Sequence, residues 1–278
     1  MTAEAPDAEE LPAWSDAFTA DRLGPAPRLE LPVGVTREWA FGNGSGAGVR
    51  VAVIDSGIDA EHPAVSGVDG YVIVEHDLDA EDGIRYIGGV HDDLYGHGTA
   101  CAAIIRSFAP KVELYSVRVL GEHLTGKARC FAAGLDWAIE HGMHIVNLSL
   151  STTNEDWFAT FHDLADQALH KRIMVVCALS NETKLSIPSE FASVFSVAAI
   201  TTNDPERLLA NPTPPAEWGA RGIDLPVAWL NQTTIVATGN SFAAPHVAGI
   251  LARMLGEHPR LTCWQAKTIL AELAGNHD

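Results

Sequence analysis

The stretch GNSFAAPHVAG, Gly239 to Gly249, decides how this chain is read. A glycine, one serine and an apolar run follow one another directly. Gly239 has access to backbone angles closed to other residues, so a sharp turn is expected there. Phe242, Ala243, Ala244, Val247, Ala248, Ile250, Leu251, Met254 and Leu255 then predict a largely buried helix. Pro245 is expected in its first turn, where a missing N–H has no intrahelical acceptor to lose. Ser241 would then sit at the positive end of a helix dipole, beside free backbone N–H groups. That position favours an oxyanion forming next to the serine oxygen. A serine before a helix also serves as a simple N-cap, so this stretch alone leaves both readings open.

Two further stretches decide between them. VRVAVIDSGIDAEHP, Val49 to Pro63, reads as a continuous apolar strand that ends in Asp55 and a Ser-Gly turn. DDLYGHGTACAAII, Asp92 to Ile105, sets His97 between two glycines at the start of an alanine-rich helix. Serine hydrolysis needs a nucleophile, a base near neutral pKa and a carboxylate that holds the base's tautomer. All three lie at element ends, where side chains converge on one crevice.

Together, in the chain order Asp55, His97, Ser241, these motifs resemble the subtilisin-like serine proteases, or subtilases, from about Leu31 to the C-terminus. The resemblance implies an α/β fold: a single subtilisin-like domain over residues 31–278, with a central mostly parallel sheet flanked by helices on both faces. It implies a serine endopeptidase that hydrolyses peptide bonds through an acyl-enzyme. By match to the family's motifs, Asn181 donates to the oxyanion, and Leu124, Thr125 and Gly126 pair with substrate as a β-strand. Ser149, Leu150, Ser151, Ala178 and Ser180 fall on the walls of the primary specificity pocket. A lipase-type hydrolase is disfavoured, because Ala243 stands where Gly-x-Ser-x-Gly needs its second glycine.

The chain departs from the family pattern at several of these points. Ser151 and Thr152 replace two glycines of the pocket wall, which predicts a narrower or differently shaped pocket. Ser180 replaces the glycine before the oxyanion asparagine. Asn240 replaces a threonine whose hydroxyl assists the oxyanion in relatives, and its amide is available to donate instead. Phe242 replaces a methionine, and Cys101, four residues after His97, is expected to pack near the site. Ala64 stands where relatives have an aspartate, and the helix after His97 runs straight into Phe108-Ala109-Pro110 without the family's inserted calcium loop. No calcium or other cofactor is therefore expected. The acidic clusters Asp77 to Asp82 and Asp92-Asp93 read as solvated loop charge, and His141-x-x-His144 lacks the glutamate of a zinc-protease helix.

Periodicity predicts strands over Val112–Leu120, His144–Thr152 and Ile173–Leu179, and helices through Phe131–Ile139 and Trp157–Leu169. By the same resemblance, IPSEFASVFSVAAI, residues 187–200, matches the strand that follows the Asn181 turn, and residues 202–231, rich in proline and polar residues, read as loops. The net charge of −18 argues against nucleic acid or an anionic membrane surface as partner and leaves a peptide or protein substrate. The sequence sets no oligomeric state. Four cysteines lack any C-x-x-C pairing and read as buried free thiols.

Residues 1–30 form an acidic arm, read either as inhibitory, with Leu11 to Trp14 as a plug, or as disordered. No signal-peptide pattern and no run near about 20 apolar residues is present, so cytoplasmic residence is expected. Three roles stay open. One is a cytoplasmic processing protease of narrow specificity, such as leader removal from a ribosomally made peptide. The others are a general intracellular turnover protease restrained by the arm, and a non-catalytic peptide-binding pseudoprotease.

Overall fold

The apolar run before Asp55 forms β1 (Arg50–Asp55), whose residues after Arg50 are all buried. A strand buried on both faces must lie inside a sheet covered on both sides. The computed structural model describes residues 34–213 and 215–276. The chain divides into two units, residues 1–32 and 33–278. The first unit, and with it the expectation of an inhibitory or disordered arm, lies outside the described residues.

β1 occupies the middle of a nine-stranded sheet in the order β3-β2-β4-β1-β5-β6-β7-β9-β8. The other strands are β2 (Gly70–His76), β3 (Ile84–Gly88), β4 (Glu113–Arg118), β5 (Ile145–Leu148), β6 (Met174–Ala178), β7 (Phe195–Ile200), β8 (Leu208–Ala210) and β9 (Trp218–Arg221). From β2 across to β9 the strands run parallel, and β3 and β8 pair antiparallel at the two edges. A separate hairpin joins β10 (Leu225–Trp229) to β11 (Thr233–Ala237).

Helices cover both faces. After the short α1 (Arg37–Ala40), α2 (His97–Phe108) packs against α5 (Asn240–Glu257) on one face, while α3 (Ala128–Glu140) and α4 (Phe158–His170) share the other. α6 (Cys263–Leu273) closes the chain with a capping box between Thr262 and Gln265. Alternation along β1 assigns the faces: Ala52 and Ile54 join Leu135, Ile139, Phe161 and Ala165 in one core cluster. This is the mostly parallel α/β architecture expected from the sequence.

Three differences concern the site. Strand β5 stops at Leu148, so Ser149–Thr152 leaves the sheet as an extended wall, tied back by a single bridge between Thr152 and Ile187. Residues 202–231 are not merely loops: β8, β9 and β10 lie there. These strands have three to five residues each, too few for a period-two signal among prolines. Pro245 is not in the first turn of α5, which begins at Asn240. Its missing N–H leaves the Ser241 carbonyl, four residues back, without its helical donor.

Candidate active site

The order of strands places the site. From β1 the chain moves to one side for β4 and then crosses to the other side for β5, so a crevice opens at the carboxyl end of β1. Asp55 is the last residue of β1 and is fully buried. His97, first residue of α2, is 4% exposed and its Nδ1–H donates to both carboxylate oxygens, at 2.9 and 2.8 Å. Gly98 makes this approach possible, because a Cβ there would fall 2.0 Å from the Gly57 carbonyl oxygen and 3.1 Å from Asp55 Cβ.

A polar network holds the pair. Ser56 N–H donates to Asp55 Oδ1 at 2.8 Å, and Ser56 Oγ donates to Asp93 Oδ1 at 2.7 Å. Asp93 also accepts from the N–H groups of Tyr95 (2.9 Å), Gly96 (2.8 Å) and Thr99 (2.9 Å), and from Thr99 Oγ1 at 2.6 Å. The acidic pair Asp92-Asp93 is therefore not simply solvated loop charge. Asp93 is 6% exposed and holds the free N–H groups at the start of α2. Sequence reasoning missed it because its donors come mainly from backbone.

Burial opposes the charged imidazolium of His97, but the adjacent Asp55 carboxylate outweighs it and lifts the pKa well above the usual histidine value. Burial raises the Cys101 thiol, so it stays neutral near pH 7. Cys101 Sγ lies 4.0 Å from His97 Nδ1, 3.5 Å from Ser149 Oγ and 3.6 Å from the Ser241 carbonyl. Asp55, His97 and Cys101 present ligand atoms within 4.8 Å of one another. A metal held there would compete for the Nδ1 position through which His97 bonds Asp55.

Ser241 lies in the first turn of α5, where its N–H has no intrahelical partner. Its carbonyl, freed by Pro245, accepts from Ser149 Oγ at 3.0 Å, and Asn147 Nδ2 donates to the same Ser149 oxygen at 2.8 Å. Ser149 thus both lines the cleft and anchors the Ser241 backbone. Gly239 is not a left-handed turn, since its φ of 165° is extended. A Cβ there would lie 3.3 Å from Ser241 Oγ, a tight contact, and 3.5 Å from Asn181 Nδ2, an ordinary one. Ser241 Oγ makes no hydrogen bond among the described residues, a bond that in free enzymes is often long and tightens with substrate. Phe242 sets its ring 5.1 Å from that of His97.

The cleft encloses about 590 Å³. Its lining brings together His97, Ser241, Asn181 and every substrate-binding residue expected from the sequence: Leu124, Thr125, Gly126, Ser149, Leu150, Ser151, Ala178 and Ser180. Leu120 and Phe131 add apolar wall, while Glu182 and Lys184, paired at 3.0 Å, stand on the exposed side. Within the 121–125 turn, Leu124 N–H donates to the Gly121 carbonyl and the Thr125 carbonyl accepts from Gly121 N–H, so the Leu124 donor is already used inside the turn. Ser180 is pinned through its N–H to Ser186 Oγ at 2.9 Å. The Asn240 amide is not available to an oxyanion: Oδ1 accepts from Ala199 N–H, and Nδ2 donates to the carbonyls of Leu179 and Ser180.

No helix among the described residues is long and apolar enough to cross a membrane. All four cysteines are buried and unpaired. His144 Nδ1 accepts from Arg50 N–H at 2.9 Å, and His141 stacks on Trp137, so this histidine pair serves packing.

Known proteins carry the same framework. In fold, the chain is similar to a cold adapted subtilisin-like serine proteinase, with a TM-score of 0.65 and 24% identity over 82% of this chain and 83% of that one. In sequence it is 30% identical to the minor extracellular protease Epr of Bacillus subtilis, covering 83% of this chain and 35% of Epr. It is 31% identical to a thermostable alkaline protease of Halalkalibacterium halodurans, covering 80% and 60%. Against subtilisin Savinase of Lederbergia lenta the identity is 30%, covering 83% and 84%. The chain thus spans 35% and 60% of the first two relatives and most of the third. Residues 46–277 match the model of the subtilase family. With the Asp55–His97 pair assembled beside Ser241, the chain belongs to the subtilase family of subtilisin-like serine proteases.

Proposed function

We propose that the chain is a serine endopeptidase acting on peptides or proteins by acyl transfer. The observation that carries this reading is the buried two-point bond from His97 to Asp55, with His97 lining the same cleft as Ser241. Ser241 Oγ attacks the scissile carbonyl while His97 Nε2 takes its proton and later gives it to the leaving amine. Asp55 holds Nδ1–H, which fixes the tautomer and stabilises the imidazolium. The Ser241 N–H and Asn181 Nδ2 receive the negative oxygen, and water then releases the acyl group.

In the cell the proposal is a cytoplasmic processing protease of narrow specificity, such as one that removes a leader from a ribosomally made peptide. The side chains of Ser151 and Thr152 on the pocket wall support the narrow range, and four buried unpaired thiols suit a reducing compartment. We propose also that it works without calcium, since α2 reaches β4 through residues 109–112 alone.

Intact mass after treatment with a fluorophosphonate tests the chemistry. One adduct on the wild type and none on Ser241→Ala is expected. An unlabelled wild type that still binds peptide overturns the enzyme reading in favour of a binding module. A cleavage map on a mixed peptide library, read with and without a chelator, tests the narrow range and the calcium independence together.

A further inference from the structure

Asn240 precedes Ser241, and both donor positions and one acceptor position of its amide are taken by backbone. Oδ1 accepts from Ala199 N–H at 2.8 Å, and Nδ2 donates to the carbonyls of Leu179 at 3.2 Å and Ser180 at 3.0 Å. The backbone N–H of the same residue donates to Asn181 Oδ1 at 2.9 Å. One residue therefore ties the exit of β6, strand β7 and the first turn of α5 to one another.

The consequence falls on Asn181, which is exposed. An asparagine amide keeps nearly the same shape when it is turned end for end, so its orientation depends on its partners. An N–H donor placed on Oδ1 leaves Nδ2 facing the cleft, on the side of Gly239 where Ser241 Oγ also lies. The Asn240 side chain fixes the distance between that donor and the Leu179–Ser180 segment that carries Asn181. An oxyanion donor works only within a few tenths of an ångström of its place.

We propose that Asn240 is a positioning residue: its side chain clamps the 179–181 segment to the nucleophile helix and so sets the Asn181 amide for the oxyanion. This rests on the reading of Asn181 as oxyanion donor given above. Asn240 touches no reacting atom and acts through Asn181.

A double-mutant cycle with Asn240→Ala and Asn181→Ala tests it, with kcat and KM on one peptide and thermal melting of each variant. Loss of an oxyanion donor lowers turnover by about 10²–10³-fold, a magnitude known from another member of the family. Asn240→Ala is expected to lower kcat about tenfold with KM within about twofold, and to add nothing in the Asn181→Ala background. Asn240→Ser, which keeps one donor, is expected to lose less, and carries the same cycle if the alanine variant does not fold. Losses that multiply in the double variant, or an unchanged kcat for Asn240→Ala, overturn the proposal. An unchanged kcat for Asn181→Ala alone overturns the oxyanion assignment instead.

Discussion

The two sides of the cleft are built by opposite means. On the base side, Asp55, Ser56, Asp93, His97 and Thr99 are all buried and linked by short hydrogen bonds. On the opposite side, Asn181, Glu182 and Lys184 are exposed, and Ser151, Thr152 and Ser180 are half-buried. A proton-transfer pair gains from exclusion of water, since low dielectric strengthens the charge stabilisation of the imidazolium. A peptide-binding wall must be open to solvent so that a chain can enter it. The base side is thus preformed before substrate arrives, while the other side depends on anchors such as Ser149 and Asn240 at its edges.

Breaking the base side at its charge should have the largest effect. Asp55→Asn is expected to lower kcat by about 10⁴-fold through loss of the correct tautomer. Turnover needs neutral His97, whose pKa the carboxylate lifts above the usual value, so the acid limb of the wild-type pH profile should lie above about pH 6.5. Removing the carboxylate favours the neutral ring, and the residual activity of the variant should persist to lower pH. An acid limb that does not move would show that Asp55 is not what sets the base.

The next prediction separates the support from the chemistry. Asp93→Asn puts an NH2 against donors that now meet a carboxylate, within a network that is almost fully buried. Stability should fall by about 3 kcal/mol in urea unfolding, and kcat should fall with it as the start of α2 shifts. A stable, fully active variant would mean that His97 is placed by packing alone.

A smaller effect sharpens the contrast between buried and open histidines. Burial lowers His246, within α5, to about 4, and lowers His91 likewise. Between about pH 6.5 and 4 the unfolded chain takes up protons that the folded chain refuses, so stability is lost as pH falls through that window. His246→Leu should flatten the fall in melting temperature over that range. An equally steep fall would assign the acid sensitivity elsewhere.

Smallest is the pocket. Ser151→Gly removes one side chain from the wall and should change the preferred residue at the cleaved bond while altering kcat/KM on a small substrate only a few-fold, by roughly 1 kcal/mol. A library profile that does not change would place the specificity on other residues of the cleft.

The sequence by itself determined the family and the class of fold. Asp55 at the end of an unbroken apolar run, His97 at a helix start and Ser241 before a buried helix are local patterns, because each depends on the residues beside it in the chain. The tertiary structure decided what those patterns could not carry. Asp93 reads as one more loop acid until five donors, some from beyond its own turn, converge on it. Asn240 reads as a spare amide for the oxyanion until Leu179, Ser180 and Ala199 occupy it. Pro245 reads as a tolerated early proline until the carbonyl it frees is taken up by Ser149, a residue 92 positions away. In each case the partner is distant in sequence and is often a backbone group, and a backbone group leaves no signature in the identity of its residue.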